Sequence, residues 1–148
     1  MTENILLKCQ REPEEKKIKY IANMLASFSF NSQYTVTLAH QMVKTAELLT
    51  YRQLVILKLA VIKDVFNLRE EDYRGGYSFT PEHIELLHEI HDMYFKGLIH
   101  FNPDALLGQT DIKPKNLQLS PLGANLYNAM SLQQIPNFEV SNIAKNLQ

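Results

Sequence analysis

One stretch in the last third of the chain constrains the fold more than any other. Gly97 closes a helix-like pattern and precedes a short apolar segment, residues 98–101. A polar loop with two prolines follows, and a second alternating segment, residues 117–119, comes after it. Ser120-Pro121 combines a capping oxygen with a fixed φ angle, and both favour the start of a helix. This order predicts two short strands that form a β-ribbon between two helices.

A second constraint is a helical segment that is apolar almost all round. Thr50 and Gln53 have the spacing of a capping box, in which the two side chains satisfy backbone amides reciprocally. The apolar positions that follow are Leu54, Val55, Ile56, Leu57, Leu59, Ala60, Val61, Ile62 and Val65. Such a helix is buried and needs neighbours on several sides. We expect Lys58 and Lys63 to mark its exposed edge.

Apolar residues at spacings of three and four predict the other helices. The first begins near Pro13 and carries a stripe of Ile18, Ile21, Leu25 and Phe28. After a break at residues 31–33, the second covers residues 36–49 with a stripe of Val36, Ala39, Val43 and Ala46. Thr80-Pro81 starts a helix that ends at Gly97 and carries Ile84, Leu87, Ile90, Met93 and Tyr94.

Three short motifs resemble the winged-helix domain of the MarR type. Leu49-Thr50-Tyr51-Arg52-Gln53-Leu54, followed by Leu57, is similar to the opening of that domain. Phe95-Lys96-Gly97-Leu98-Ile99 resembles the exit from its recognition helix, and Leu119-Ser120-Pro121-Leu122-Gly123 resembles the junction after its wing. The resemblance covers residues 49–130. It implies DNA binding by a dimer whose two copies are joined by helices outside the wing module, here residues 13–49.

The predicted fold is therefore mainly α: a helical domain with a winged-helix-like C-terminal half and a small two-stranded β-ribbon. We expect a single domain, residues 1–148, in which an N-terminal helical pair (1–49) precedes the body (50–130). The tail, residues 131–148, is polar apart from a few positions. Of these, Val140, Ile143 and Leu147 have the spacing of a terminal helical turn.

Two features depart from the winged-helix pattern. Where that family has a second helix and a tight turn, residues 66–80 hold a charged segment with two glycines, which disfavours a helix. Residues 80–130 contain six acids against three lysines, a net charge of −3. The affinity of proteins for DNA comes largely from Lys and Arg that neutralise phosphates. We therefore expect no nucleic-acid binding by the helix that would enter the major groove.

Basic residues cluster upstream of this region. The clustered positions are Lys16, Lys17 and Lys19 in the first helix and Arg52, Lys58 and Lys63 in the third. They are interpreted either as a phosphate-facing surface or as solvated helix faces balanced by nearby glutamates, and the second interpretation is favoured.

Histidines and acids share the helix after Pro81. Glu85 and His88 have the Glu-x-x-His spacing of di-iron bundles, but the sequence holds no second copy of the motif. The candidate ligands for a divalent ion such as Zn²⁺ are Glu85, His88, His91 and Asp92. The alternative is an exposed polar face, on which nearby carboxylates would raise the pKa of His83, His88 and His91. We favour the polar face and expect no metal and no cofactor.

Compartment and class follow from simpler features. Cys9 is the single cysteine, so no intramolecular disulfide can form, as is usual in a reducing compartment. No apolar run reaches membrane-spanning length, and the polar start predicts no secretory signal. Glycine-rich phosphate loops and common hydrolase motifs are missing from the sequence. A cytoplasmic protein that is not an enzyme and makes no membrane contact is expected.

These observations favour a non-enzymatic protein-interaction or regulatory module that binds a protein partner or forms a homodimer. The candidate interaction residues are Tyr73, Tyr77, Phe138, Ile143 and Leu147. The alternative is a DNA-binding winged-helix regulator. A third possibility is a metal-binding or enzymatic protein that uses the helix with the histidines and acids.

Overall fold

The computed structural model describes the backbone of residues 2–102 and 105–148, and the side chains of residues 15–102 and 105–148. The described elements are α1 (Thr2–Phe30), α2 (Val36–Leu48), α3 (Tyr51–Ile62), α4 (Pro81–Phe95), β1 (Ile99–Phe101), β2 (Leu117–Leu119), α5 (Pro121–Ala129) and α6 (Asn137–Ala144). The prediction of a mainly helical chain with a small β-ribbon is confirmed.

Helix α3 lies at the centre of the molecule. Every side chain from Gln53 to Ala60 is buried, and α3 contacts α1, α4, α5, α6 and β2. The predicted capping box at its start is present: the Thr50 hydroxyl accepts from the Gln53 backbone, and the Gln53 side chain accepts from the Thr50 backbone. The helix is covered on all sides over residues 53–60. Val61 at its end and Val65 in the turn after it are exposed, so the predicted buried segment is too long by these positions.

The expectation that Lys58 marks an exposed edge of α3 is wrong. Its side chain is buried, and its Nζ donates to the carbonyls of Gln133 and Ile135 and to Oδ1 of Asn137. Burial lowers the pKa of this amine. Three oxygens therefore replace the water that the ammonium group loses. Lys63, in a 3₁₀ turn after α3, is half-buried and donates to the Leu117 carbonyl at 2.6 Å.

Helix α1 differs from its prediction in two respects. It begins at Thr2 and passes through Pro13, because the residues before that proline include good helix formers. Its buried face is rotated from the predicted stripe and consists of Lys17, Tyr20 and Met24. The Lys17 Nζ donates to the carbonyls of Glu47 and Leu49 at 3.1 and 2.6 Å, so the lysine satisfies oxygens at the end of α2.

The two stripes predicted for the N-terminal helices are consequently only partly buried. On α1, Ile18 and Leu25 are 62% and 50% exposed. On α2, Val36 is exposed while Met42 and Ala46 are buried. Among the described residues, no helix is both long enough and apolar enough to cross a membrane.

The β-ribbon pairs Ile99 with Leu119 and Phe101 with Leu117 in antiparallel register. Gly97, at φ +74°, ends α4 in the left-handed conformation that glycine adopts without strain. Helix α5 starts at the predicted Ser120-Pro121 cap and passes close to the backbone of Leu98, just before β1. A Cβ atom at Gly123 would lie 2.1 Å from the Leu98 carbonyl oxygen. The ribbon and α5 therefore need glycine at this position.

We predict that Gly123→Ala lowers the free energy of unfolding by about 3 kcal/mol, because backbone on both sides must shift. Urea denaturation measures the change. Gly108→Ala is the matched control: its φ is extended and a Cβ there meets nothing within 4 Å, so it should change stability by less than about 1 kcal/mol. Equal effects of the two substitutions would contradict the prediction.

Candidate functional site

Helix α4 is fixed at both ends by the predicted signals. The Thr80 hydroxyl accepts from the His83 backbone, Pro81 occupies the first turn, and Gly97 follows the last. The buried side of the helix consists of His83, Leu86, Leu87, Ile90 and Met93. The prediction is therefore right for Leu87, Ile90 and Met93, whereas Tyr94 is half-buried and Ile84 is exposed. His83 and Leu86 lie inside in place of Ile84.

Four residues form an outward stripe along α4, which we name the α4 face: Ile84, His88, His91 and Phe95. Their spacing of four, three and four places them on one line of the helix. Ile84 is 49% exposed and Phe95 is 73% exposed. The His91 ring meets the Phe95 ring edge-on at 4.7 Å between centroids, and its Nε2 has no partner in the described part of the chain. The helix thus presents apolar and aromatic surface to solvent.

A row of carboxylates, Glu82, Glu85, Glu89 and Asp92, runs beside the α4 face and is called the acid row. Arg52 of α3 donates through Nε to Glu89 at 2.9 Å and lies 3.8 Å from Glu85. The Glu85 side chain nevertheless remains 69% exposed. Burial opposes ionisation of Asp92, but hydrogen bonds from Lys96 and Gln53 outweigh it and hold the pKa of that carboxyl below its usual range. Asp92 is therefore negatively charged at neutral pH.

The candidate metal ligands face different partners. Glu85 lies near Arg52, His88 Nδ1 is 2.9 Å from the Gln109 amide nitrogen, and Asp92 pairs with Lys96. His91 packs against Phe95. Within the side chains that the structure describes, no three His, Cys, Asp or Glu residues are grouped as metal ligands. The Cys9 side chain lies outside the described residues.

Arg52 joins two shallow cavities. One, of about 290 Å³, is lined by Arg52, Ile84, Glu85, His88, Glu89 and Gln109. The other, of about 270 Å³, is lined by Arg52 together with Tyr51, Val55, Phe138 and Glu139 among others. In the second cavity Tyr51 donates a short hydrogen bond to Glu139, which also pairs with Lys16 at 3.2 Å. Burial and the adjacent Glu139 raise the pKa of the Tyr51 phenol, so it remains a donor.

Residues 66–80, all described, form neither helix nor strand and instead build an aromatic cluster. The rings of Tyr73, Tyr77, Phe79 and His83 lie 4.8 to 6.1 Å apart between centroids. The Arg69 guanidinium stacks 5.0 Å from Tyr73 and 5.1 Å from Tyr77. Burial raises the pKa of Tyr73 to about 12, and its hydroxyl has no hydrogen-bond partner in the described region.

His83 contradicts the prediction that the histidines of α4 lie on an exposed, acid-flanked face. Its ring is buried, and its Nε2 has no hydrogen-bond partner among the described atoms. Burial lowers the pKa of His83, and the nearby Arg69 lowers it further. The carboxylates of α4 lie on the outer side of the helix, so they do not stabilise the imidazolium form of His83. His88 is exposed and His91 is half-buried.

The predicted interaction residues divide into two groups. Tyr73, Ile143 and Leu147 are buried, which corrects the expectation that they form a contact surface. The last two lie in α6 and the 3₁₀ turn after it, where Val140 is also buried, so the predicted terminal helical turn is present. The tail is needed to cover α3. Tyr77 and Phe138 remain exposed.

The upstream basic residues do not form one surface. Lys17 and Lys58 are buried, which contradicts both interpretations of the cluster for these two positions. Lys16 pairs with Glu139, and Arg52 pairs with Glu89. Lys19 lies over the Tyr20 ring at 5.6 Å. Most of these basic side chains are therefore engaged in contacts within the chain.

No protein-family model, no curated protein and no solved structure matched this chain in comparison with known proteins. The function must then be inferred from the geometry of the chain itself. The α4 face is the feature that sequence reasoning missed, although the positions 84, 88, 91 and 95 show its spacing. The apolar character of Ile84 favours a core position, which is why the sequence alone does not predict this outward stripe.

We predict that His83→Phe reduces the loss of stability on acidification between about pH 6.5 and pH 5. The unfolded chain binds a proton at His83 near pH 6.5, whereas the folded chain binds it only at lower pH. The free energy of unfolding is therefore highest above the unfolded pKa and falls as the pH drops towards the folded pKa. Phenylalanine retains an aromatic ring in the cluster of Tyr73, Tyr77 and Phe79 but has no group that titrates in this pH range.

Chemical denaturation of both proteins across this pH range measures the difference. His40→Gln, at an exposed position of α2, is the control and should leave the pH dependence of the unaltered chain in place. A His83→Phe protein with the same acid sensitivity as the unaltered chain would refute the assignment.

Proposed function

We propose that this chain is a non-enzymatic protein-interaction module on a winged-helix-like body, with the α4 face as its contact surface. The observation that carries the proposal is the pairing of exposed Ile84 and Phe95 with the acid row. Exposed apolar surface bordered by charge is typical of protein contact sites.

The same observation disfavours the DNA-binding alternative. In the winged-helix family that the sequence resembles, the helix equivalent to α4 enters the major groove, where Arg, Lys, Asn and Gln read bases. Here the corresponding surface carries Glu82, Glu85 and Glu89. The nearest cations, Arg52 and Lys96, already pair with Glu89 and Asp92. Phosphates approaching α4 would meet carboxylates.

We predict no useful affinity for duplex DNA at physiological salt. Fluorescence anisotropy with random and genomic duplexes measures the binding. Sub-micromolar binding that weakens steeply with added salt would overturn the proposed function, because that slope reports contacts between cations and phosphates.

Self-association is the second part of the proposal, and it is supported by α1. Ile18, Ala22 and Leu25 lie on one outward line of the helix, away from the buried Lys17, Tyr20 and Met24. The apolar tail, by contrast, is used within the core. We propose that two copies pair through this outward face of α1, since such pairing buries side chains that the body leaves in water.

We predict a homodimer at concentrations on the order of tens of micromolar, with light scattering reporting twice the mass of one chain. Ile18→Lys and Leu25→Lys should each shift the protein towards the monomer, because a charge would enter the pairing face. Val65→Lys, which changes an exposed side chain in the 3₁₀ turn after α3, is the matched control and should leave the dimer intact. A monomer mass for the unaltered chain would remove this part of the proposal.

A further inference from the structure

We infer that the α4 face binds a cationic amphipathic helix of a partner protein. The inference rests on the proposed function and names the class of partner that the surface fits. It follows from three properties of the surface: the line of four side chains with an apolar residue at each end, the charge beside that line, and the cavity next to Ile84.

The α4 face has the dimensions of a helix-docking surface. Its first and last members, Ile84 and Phe95, are eleven residues apart, which corresponds to about 16 Å along the helix axis. A partner helix that contributes apolar residues at spacings of three and four over three turns matches this length. His88 and His91 continue the line between the two apolar ends.

The charge beside the line selects a cationic partner. Glu82 is exposed, and Glu85 is largely exposed with Arg52 no closer than 3.8 Å. The basic groups in contact with the acid row are Arg52 and Lys96, and both are engaged by Glu89 and Asp92. Lysine or arginine on the flank of a partner helix would find carboxylates there, whereas an acidic helix would be repelled.

A second copy of this chain fits the α4 face poorly. A two-fold axis pairs the same surface patch on both copies. Two antiparallel α4 helices would therefore bring the acid row of one copy beside the acid row of the other. Like charges placed together oppose association. The partner at α4 is accordingly a different chain, while α1 serves self-association.

The cavity next to Ile84 adds a specific receptor for a long basic side chain. It has a volume of about 290 Å³, and its lining includes Ile84, Glu85 and Arg52, whose guanidinium group is paired with Glu89. The methylene groups of a lysine or arginine can pack on Ile84 while the charged head reaches Glu85. Glu85 and Phe95 are therefore the residues on which binding should depend most.

The test uses the full chain and a fluorescent model peptide that forms a helix with leucines on one face and lysines on the other. We expect saturable binding by anisotropy, weakened about tenfold or more by Glu85→Lys and by Phe95→Ser. The matched controls are Glu47→Lys, an exposed acid on α2, and Val65→Ser, an exposed apolar residue after α3. Both controls should bind like the unaltered chain, and thermal unfolding checks that each variant is folded.

The outcomes separate the inference from the proposed function. If the peptide with glutamates in place of lysines binds more tightly and Phe95→Ser abolishes its binding, the charge class is wrong and the proposed function stands. If neither peptide binds, both are overturned. Binding that Glu85→Lys and Phe95→Ser leave unchanged places the peptide elsewhere and refutes the inference. Loss of the homodimer in Phe95→Ser would assign the α4 face to a second copy instead.

Discussion

The burial of α3 on every side is the constraint on which the rest of the structure depends. An apolar helix without an exposed face must be covered by elements from both ends of the chain, and α1, α4, α6 and the β-ribbon supply the cover. Lys58 extends this constraint to the tail, because its ammonium group is satisfied by oxygens of residues 133–137. A buried amine without those oxygens would be costly, so the position of the connection between α5 and α6 is tied to α3.

This arrangement decides which charges face solvent. Lys17 is used to satisfy the end of α2, Lys58 holds the tail, and Arg52 is bound to Glu89. Most of the basic side chains that cluster in α1 and α3 are thus engaged in contacts within the chain. On α4, Glu82 is exposed, and Glu85 remains 69% exposed although it lies 3.8 Å from Arg52. The outer surface at α4 is therefore more acidic than the nearly neutral net charge of the chain suggests.

Local signals in the sequence predict where α3, α4 and α5 begin, but they do not predict where α1 begins or which face of each helix is buried. Thr50, Thr80 and Ser120 cap helices because each acts through backbone atoms three residues away. Which face of a helix is buried depends on distant partners. Their apolar character predicts that Ile18 and Ile84 lie in the core, yet Lys17 and His83 take the inner positions. Lys17 can be buried because its methylene groups are apolar and its ammonium group donates to carbonyl oxygens at the end of α2. No local sequence pattern predicts that those carbonyls lie nearby. The α4 face was missed for the same reason.

The segment that departs from the winged-helix pattern also sets the orientation of α4. Residues 66–80 form an aromatic cluster in which the rings of Tyr73 and Tyr77 contact the ring of His83. Once His83 points inward, the helical repeat places His88, His91 and Phe95 on the outer line with Ile84 and places the acid row beside them. The irregular conformation of residues 66–80 and the exposure of an acidic and partly apolar surface on α4 are therefore linked through one buried imidazole.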